Sequence, residues 1–474
     1  MRVAILGGGI AGLSAAYELA RRGGSQIDYT LFEAASRLGG VISSQVVDGS
    51  VLEHGPDSFL TEKPAALELC RELGLESDLI PSNDSARKTF IVVRNKLIAL
   101  PDGLMFLVPT KLVPTALTRL FSVGAKLRMA MEWFERPRSR VGDESVADLV
   151  RRHYGQEAVD RLADPLLSGI YGGEATQLSA RSVLPRLVQM EAEFGSLTRG
   201  MLASRKKMQA ERGRRTPSEA PRPVFTTLRG GLQQLIDNLV GQLDPARIRC
   251  STAVESIARG PMGWRVSFSS TASGTAQSGQ TVEDFDAVIV ATPAWAAARL
   301  LAEAHPALSA ELDKIQYSSS ITMNLVYDEI SLGPLPEGFG FLVPAVERRA
   351  ILACTFVHRK FCGRTAHGKA VLRVFLGGAR KEALLAESDQ TLAAIVREEL
   401  RQMLGITAQP ERVEVSRWPR AMAQYAVGHA DRLERIRAHV ETLPGLRLVG
   451  NAYDGIGIAD CIRLGRAAGR AVQE

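Results

Sequence analysis

Residues 2–6, Arg-Val-Ala-Ile-Leu, form a short apolar run that stops at Gly7-Gly8-Gly9. A helical pattern follows from Ile10 to Ala20, and Tyr29-Thr-Leu-Phe-Glu33 reads as a second strand. The chain therefore opens on a βαβ unit with Gly7-x-Gly9-x-x-Gly12 at its first turn and an acid, Glu33, at the end of its second strand. Each glycine has a physical task in such a unit. Gly7 permits the tight turn, Gly9 lets the backbone approach a pyrophosphate, and Gly12 lets helix and strand pack closely. The helix start supplies N–H donors and Glu33 accepts from ribose hydroxyls. A glycine-rich turn alone would need neither the helix nor the acid, so the unit is expected to hold a nucleotide.

FAD is the expected cofactor, bound without a covalent link. Arg37-Leu-Gly39-Gly40 places a cation and a second glycine pair just after Glu33. This resembles the Glu-x-x-x-Arg-x-Gly-Gly extension of FAD-dependent amine oxidases. At the other end of the chain, Gly450-Asn-Ala-Tyr-Asp454-Gly455-Ile-Gly457-Ile-Ala-Asp460-Cys-Ile resembles the flavin-contacting segment of the same superfamily. No Ser-Gly-Gly-Cys is present for covalent attachment; Cys461 lies past the glycines.

The chain has 474 residues, which at the usual domain size implies about three domains. Charged residues make up 23% and hydrophobic ones 45%, so wholesale disorder is excluded. The net charge of +6 suits an anionic substrate or a membrane surface and is too weak to imply nucleic acid. Five cysteines without C-x-x-C spacing indicate neither a disulfide framework nor a zinc site, and point to a reducing, cytoplasmic setting. The histidines lack ligand spacing, so no metal is expected. No uncharged apolar run reaches the roughly 18 residues of a spanning helix, and a nucleotide pattern starting at residue 3 leaves no room for a secretory signal.

Two later segments read as strands of the first sheet: Phe285–Ala291, punctuated by Thr292-Pro293, and Leu446–Val449, which runs into Gly450 and a closing helix from Asp460 to Val472. Alternating stretches between Trp264 and Asp286 suggest a β-meander. Residues 103–131 mix apolar residues with Lys111, Arg119, Lys126 and Arg128, and carry no acid. Residues 203–223, rich in Pro, Arg and Ser, read as a solvated loop. The expected division is an FAD-binding domain over 1–85, 223–298 and 429–474, a substrate domain over 86–102 and 299–428, and a helical insert over 103–222.

Six further segments, in order, resemble the oxygen-dependent porphyrinogen oxidases of haem synthesis: Glu53-His-Gly-Pro-Asp-Ser-Phe59, Pro165-Leu-Leu-Ser-Gly-Ile-Tyr-Gly-Gly173, Thr227-Leu-Arg-Gly-Gly-Leu232, Gly338-Phe-Gly-Phe-Leu-Val-Pro344, Gln424-Tyr-Ala-Val-Gly-His429 and Asp460-Cys-Ile462. The resemblance implies an α/β (α+β) fold of the amine-oxidase superfamily type: a glutathione-reductase-like FAD domain, a mixed β-sheet substrate domain and a helical insert. It implies that the flavin takes hydride from a porphyrinogen and that oxygen reoxidises it, giving hydrogen peroxide, three times over for six electrons. It implies cofactor contacts at Gly7, Gly9, Ile10, Ala11, Gly12, Glu33, Arg37, Gly39, Gly40, Gly55, Pro56, Asp57, Val254, Gly450, Asp454, Gly457 and Ile458. By the same resemblance the Gly169 backbone borders the reacting carbon, with Leu342 and Leu352 on one face of the macrocycle and Phe375 on the other; Ile351 is the neighbour that competes with Leu352.

Many members pair a substrate propionate with an arginine before the strand that leads to Ala99-Leu100-Pro101. That place falls here on Thr89, preceded by Arg87 and Lys88. A lysine near this point resembles the coproporphyrinogen-oxidising branch, as does Val108-Pro-Thr-Lys-Leu-Val-Pro114. Four carboxylates call for more cations than two, so coproporphyrinogen III is the expected substrate and protoporphyrinogen IX the alternative. Other readings are a flavin amine oxidase or desaturase, and a colourless binder of the dissociation-inhibitor type. The 103–131 stretch either lies on an anionic bilayer, at the inner face of the membrane, or packs inward as a lid. A homo-oligomer is left open.

Overall fold

The structure is a computed structural model that describes residues 1–23, 27–105, 107–138, 142–212, 223–260, 263–270 and 281–472. At its base is a five-stranded parallel sheet. Arg2–Leu6 is central, Asp28–Phe32 and then Ile248–Arg249 lie to one side, and Ala287–Val290 and then Leu446–Leu448 lie to the other. Strands from four separated stretches of chain thus share one sheet. Side chains alternate between its faces, as a period of two requires. Val3, Ile5, Tyr29, Leu31 and Ile289 face helices Ile10–Gly23, Gln233–Val240 and Ile458–Ala471. Ala4, Leu6, Phe32, Val288 and Val290 face a three-stranded antiparallel sheet, Thr252–Gly260, Gly263–Ser270 and Thr281–Phe285, together with helices Ala294–Leu301, Pro306–Asp313 and His429–Glu441. The meander's 271–280 turn lies outside the described residues.

The first and last helices are locked together by two glycines. A Cβ on Gly465 would stand 2.1 Å from the Ala11 carbonyl oxygen, and one on Gly469 3.0 Å from that of Ala15. The two helices therefore run parallel, four residues matching four. In that register the last helix starts six residues earlier, so its N-terminus projects about 9 Å beyond that of the first.

Above this domain stands a seven-stranded mixed sheet in the order Arg412–Ala423, Tyr317–Asp328, Lys369–Gly377, Ile351–Phe356, Gly340–Leu342, Thr89–Val93, Lys96–Ala99. Its back face, including Phe90, Met323, Phe341 and Val374, is covered by helix Asp389–Leu404 through Leu392, Val396, Leu400 and Met403. That helix is bounded by a Ser388 side-chain cap and by Gly405 in the left-handed region. Its front face looks towards the nucleotide sheet and a helical insert whose core is built on Leu120, Leu149, Tyr154, Leu162 and Leu167.

In the insert, helix Leu197–Arg212 takes up the first half of the stretch read from sequence as a loop; residues 213–222 lie outside the described ones. The strong Arg/Lys content hid an ordinary helical composition, since both residues propagate helices well.

Candidate active site

The carboxyl end of the parallel sheet gathers the glycine turns. Gly7 has φ +110°, and a Cβ there would sit 2.9 Å from the Ala291 carbonyl oxygen. A Cβ on Gly12 would fall 2.0 Å from the Gly7 carbonyl oxygen, so helix and strand approach each other as only glycine allows. At Gly9 a Cβ would meet nothing within 4 Å: the backbone borders open space beside the first turn of the helix, at Ile10 and Ala11. The second glycine pair closes on the first. Gly39 N donates to the Gly8 carbonyl at 2.8 Å, and Gly9 and Gly39 form a parallel bridge.

Glu33 is fixed in place by two backbone donors, Gly8 N at 2.7 Å and Ala35 N at 2.8 Å, one to each oxygen. Thr252 N donates to the Glu33 carbonyl at 2.9 Å, which brings Val254's strand alongside. Arg37 is exposed, and its guanidinium braces the second turn by donating to the carbonyls of Leu38, Gly40 and Ile42. Thr292 Oγ1, beside Gly7, is buried and has no hydrogen-bond partner.

From the far strand the loop Gly450–Gly457 leads into helix Ile458–Ala471. Asp460 caps that helix by accepting from Gly457 N at 3.3 Å, and it also pairs with Lys63 at 2.5 Å. Asp454 is not brought to this site: its carboxylate turns outward to Arg437 at 2.6 Å. Its position in a glycine-rich loop gave no information on side-chain direction.

Segment 53–59 carries a charge cluster that sequence reasoning missed. Asp57 lies 2.9 Å from Lys360 and 3.5 Å from Arg373, while Glu53 lies 2.5 Å from Arg364. Burial pushes the Asp57 carboxyl up, but Lys360 and Arg373 outweigh it and hold the group well below the usual carboxylate range. Burial dominates at Glu53 and raises it despite Arg364. Arg373 also donates to the Gly55 carbonyl and lies over the Phe375 ring at 4.7 Å. Gly55 is itself required, since a Cβ would fall 1.7 Å from the Val41 carbonyl oxygen. The available signal was a charged residue inside the apolar strand 371–376, which is rarely buried without a partner.

On the front face of the upper sheet, strand pairing sets Ile91, Leu342, Ala353, Phe375 and Thr322 in one cross-strand row. Leu342 and Phe375 are two strands apart, about 10 Å, with a small alanine between them. Leu352 sits in a bulge between Ile351 and Ala353 and is half-buried, whereas Ile351 is fully buried in the back core. Gly169 is exposed in helix Asp164–Tyr171, and its nearest neighbour is Leu342, 3.3 Å from the place of a Cβ. Arg87 and Lys88 are exposed just before strand Thr89–Val93; Thr89 is half-buried. Among the described residues no side-chain group of three or more has metal-ligand geometry, and no helix is long and apolar enough to cross a membrane.

Residues 10–473 match the family model of the flavin containing amine oxidoreductases. The chain belongs to that family. It is a flavin-dependent oxidoreductase with the mixed α/β fold of the amine oxidase superfamily. It is 35% identical to the coproporphyrinogen III oxidase of Bacillus subtilis (strain 168) over 470 residues, 98% of this chain and 96% of that protein. It is 28% identical to the mitochondrial protoporphyrinogen oxidase of Nicotiana tabacum, covering 98% and 93%. A crystal structure from Exiguobacterium sp. 255-15, assigned as a protoporphyrinogen oxidase, is 31% identical with a TM-score of 0.85, covering 100% of this chain and 98% of that one. The open backbone at Gly9, the paired glycine turns and the orphaned Thr292 hydroxyl fit the dinucleotide such enzymes hold.

Proposed function

We propose that the protein oxidises coproporphyrinogen III to coproporphyrin III, with FAD as cofactor, oxygen as final acceptor and hydrogen peroxide as by-product. The observation that carries this reading is full-length kinship with coproporphyrinogen III oxidases at 31–35% identity. Bound FAD supplies a two-electron acceptor, and three rounds account for the six electrons lost.

The chain's own residues bind, orient and exclude water. Gly7, Gly9 and Gly12, with the N–H groups of Ile10 and Ala11, take the pyrophosphate, and Glu33 takes the adenosine ribose. Gly39, Gly40, Gly55, Pro56, Val254, Gly450, Gly457 and Ile458 would hold the rest of the cofactor. Leu342 and Phe375 stand far enough apart to admit a flat ring at contact distance on both sides, roughly 3.5–4.0 Å each. Arg373, stacked on Phe375, holds that ring in its rotamer. The Gly169 backbone, at the open end of a short helix, borders the macrocycle edge, and Arg87 and Lys88 receive propionates where the strand begins.

A cytoplasmic, peripheral location on an anionic bilayer is part of this reading, and the outward face of the insert supports its peripheral part. Val123, Leu127 and Met131 form an exposed i, i+4, i+8 stripe, joined by Leu117 at 77% and Phe134 at 80% exposure. Leu107, Leu120, Phe121 and Met129 pack inward instead, so the stretch divides into a core side and an outer side.

The test is porphyrin fluorescence formed in air from each porphyrinogen separately. Preference for coproporphyrinogen III, lost in Lys88→Ala or Arg87→Ala, is expected. Preference for protoporphyrinogen IX overturns the substrate assignment, and turnover of amines alone overturns the reaction.

A further inference from the structure

The segment Gln424-Tyr425-Ala-Val-Gly-His429 has no part in the chemistry above, yet its first two side chains reach in opposite directions from the end of strand Arg412–Ala423. Successive residues of an extended chain point to opposite sides, and here the two sides are the two halves of the site.

Gln424 faces the Gly169 helix. Its amide Nε2 donates to the Tyr171 carbonyl at 2.6 Å and to Ser318 Oγ at 2.9 Å. Tyr171 is the last residue of that helix, which Gly172 ends in the left-handed region, so its carbonyl is one of the groups a helix leaves unpaired. The fit leaves no slack: a Cβ on Gly173 would stand 2.0 Å from Gln424 Oε1.

Tyr425 faces the C-terminal loop. Its hydroxyl donates to the Asn451 carbonyl at 3.0 Å and accepts from Gly455 N at 2.9 Å, clasping the loop near both ends. The ring is itself held. His429, buried, stacks on it at 4.2 Å and 13°, and Tyr171 lies against it at 6.1 Å. The same strand secures the loop once more, because Asn451 Nδ2 donates to the Ala421 carbonyl at 3.0 Å.

We propose that Gln424 and Tyr425 are positioning residues, one anchoring the helix that carries Gly169 and the other anchoring the loop Gly450–Gly457, so that the dipeptide fixes the separation of substrate and flavin. The inference rests on the reading of that helix and loop given under the proposed function. Neither side chain touches substrate or cofactor in this scheme. Each acts through backbone that does, and the two roles are separable.

The experiment compares flavin-loaded wild type, Tyr425→Phe and Gln424→Met. Three quantities are read: the FAD Kd by titration of apoprotein, the visible flavin spectrum, and kcat and KM for coproporphyrinogen III. Tyr425→Phe keeps both ring contacts and loses both loop bonds. Its FAD Kd should rise about five- to thirtyfold, the equivalent of one to two ordinary hydrogen bonds, with a shifted flavin band. Gln424→Met keeps the volume and loses the amide. Its FAD Kd and spectrum should stay at wild-type values while kcat falls about tenfold at unchanged KM. A Tyr425→Phe protein with wild-type Kd and spectrum overturns the inference. So does a Gln424→Met protein that loosens FAD as much as Tyr425→Phe does, because both residues would then be acting through general stability. Should Tyr425→Phe not fold, Asn451→Ala, which keeps the carbonyl that Tyr425 uses but breaks the loop's other bond to the same strand, reads whether tethering of this loop sets FAD affinity: a raised Kd is expected, and a wild-type Kd and spectrum overturns the inference. Kd and spectrum are read without porphyrinogen. Failure of the unaltered enzyme to oxidise porphyrinogens would therefore defeat the proposed function alone, and an unmoved Kd would defeat this inference alone.

Discussion

Asp57→Asn tests whether the buried charges under segment 53–59 hold the two sheets in register. The substitution keeps the side chain's size and one acceptor. It leaves Lys360, at 2.9 Å, and Arg373, at 3.5 Å, facing a neutral amide. Removing one partner of a buried pair costs about 3–5 kcal/mol, mostly through the charge left behind. The retained amide oxygen and the 17% exposure of Asp57 put this case near the lower end, about 3 kcal/mol. Lys360→Met should cost less, about 1–2 kcal/mol, because Asp57 keeps Arg373 as its counter-charge. The assay is urea unfolding of the flavin-loaded proteins by tryptophan fluorescence, at neutral pH and then at falling pH. The folded Asp57 carboxyl lies below its ordinary value. Its contribution is therefore complete above about pH 3.9, the unfolded value, and disappears as pH falls from there towards the folded one. The gap between wild type and Asp57→Asn should accordingly be constant near neutrality and narrow below about pH 4. A gap under about 1 kcal/mol at neutral pH, or one that widens on acidification, would refute the reasoning.

Glu33→Ala should lower FAD occupancy after purification, since it removes the proposed ribose acceptor and the observed acceptor for Gly8 N and Ala35 N; Glu33→Gln should be milder, and full occupancy in the alanine variant would remove the assignment. Gly169→Leu should keep the flavin spectrum and lose turnover, because the new side chain starts 3.3 Å from Leu342 and extends over the row proposed to face the substrate; normal activity would place this helix outside the pocket. His153, buried between Glu132 and Glu191 at 3.2 Å each, has its pKa raised: burial pulls it down and the two carboxylates more than restore it. Its stabilisation is complete below about pH 6.5, the unfolded value, and lost as pH rises through the folded one, so thermal melts of wild type and His153→Gln should converge on going alkaline, and parallel melts across that range would contradict the charged assignment. Co-sedimentation with anionic liposomes should weaken with salt and with Leu127→Gln, whereas no sedimentation at low salt would leave the outer stripe to a second copy of the chain, checked by its oligomeric state.

The nucleotide half was legible in the sequence because backbone constraints are written in single residues. Gly7 and Gly12 sit where a Cβ would strike a carbonyl, Gly9 borders open space, and Glu33 follows at the strand end. That Phe285–Ala291 and Leu446–Val449 join that sheet also followed from their short apolar runs, whereas the edge strand Ile248–Arg249 is too short to carry a pattern. The proposed substrate half rests on family resemblance, with no pattern of its own in the sequence. Leu342 and Phe375 look like any core residues until strand pairing sets them in one row with Ala353 between them. The charge cluster was hidden for another reason: Asp57, Lys360 and Arg373 are about three hundred positions apart at the extreme, and only the fold makes them neighbours. Residues 203–212 were misjudged because their charge suggested solvent and not the helix they form.

The most direct test of the account mixes the oxidised, flavin-loaded enzyme with coproporphyrinogen III in the absence of oxygen and follows flavin absorbance and porphyrin fluorescence together. The flavin should bleach on mixing, about three flavins should be reduced for each porphyrin formed, and admitting air should restore the flavin with release of hydrogen peroxide. A flavin that stays oxidised while porphyrin accumulates, or one reduced by an amine and untouched by the porphyrinogen, would contradict it.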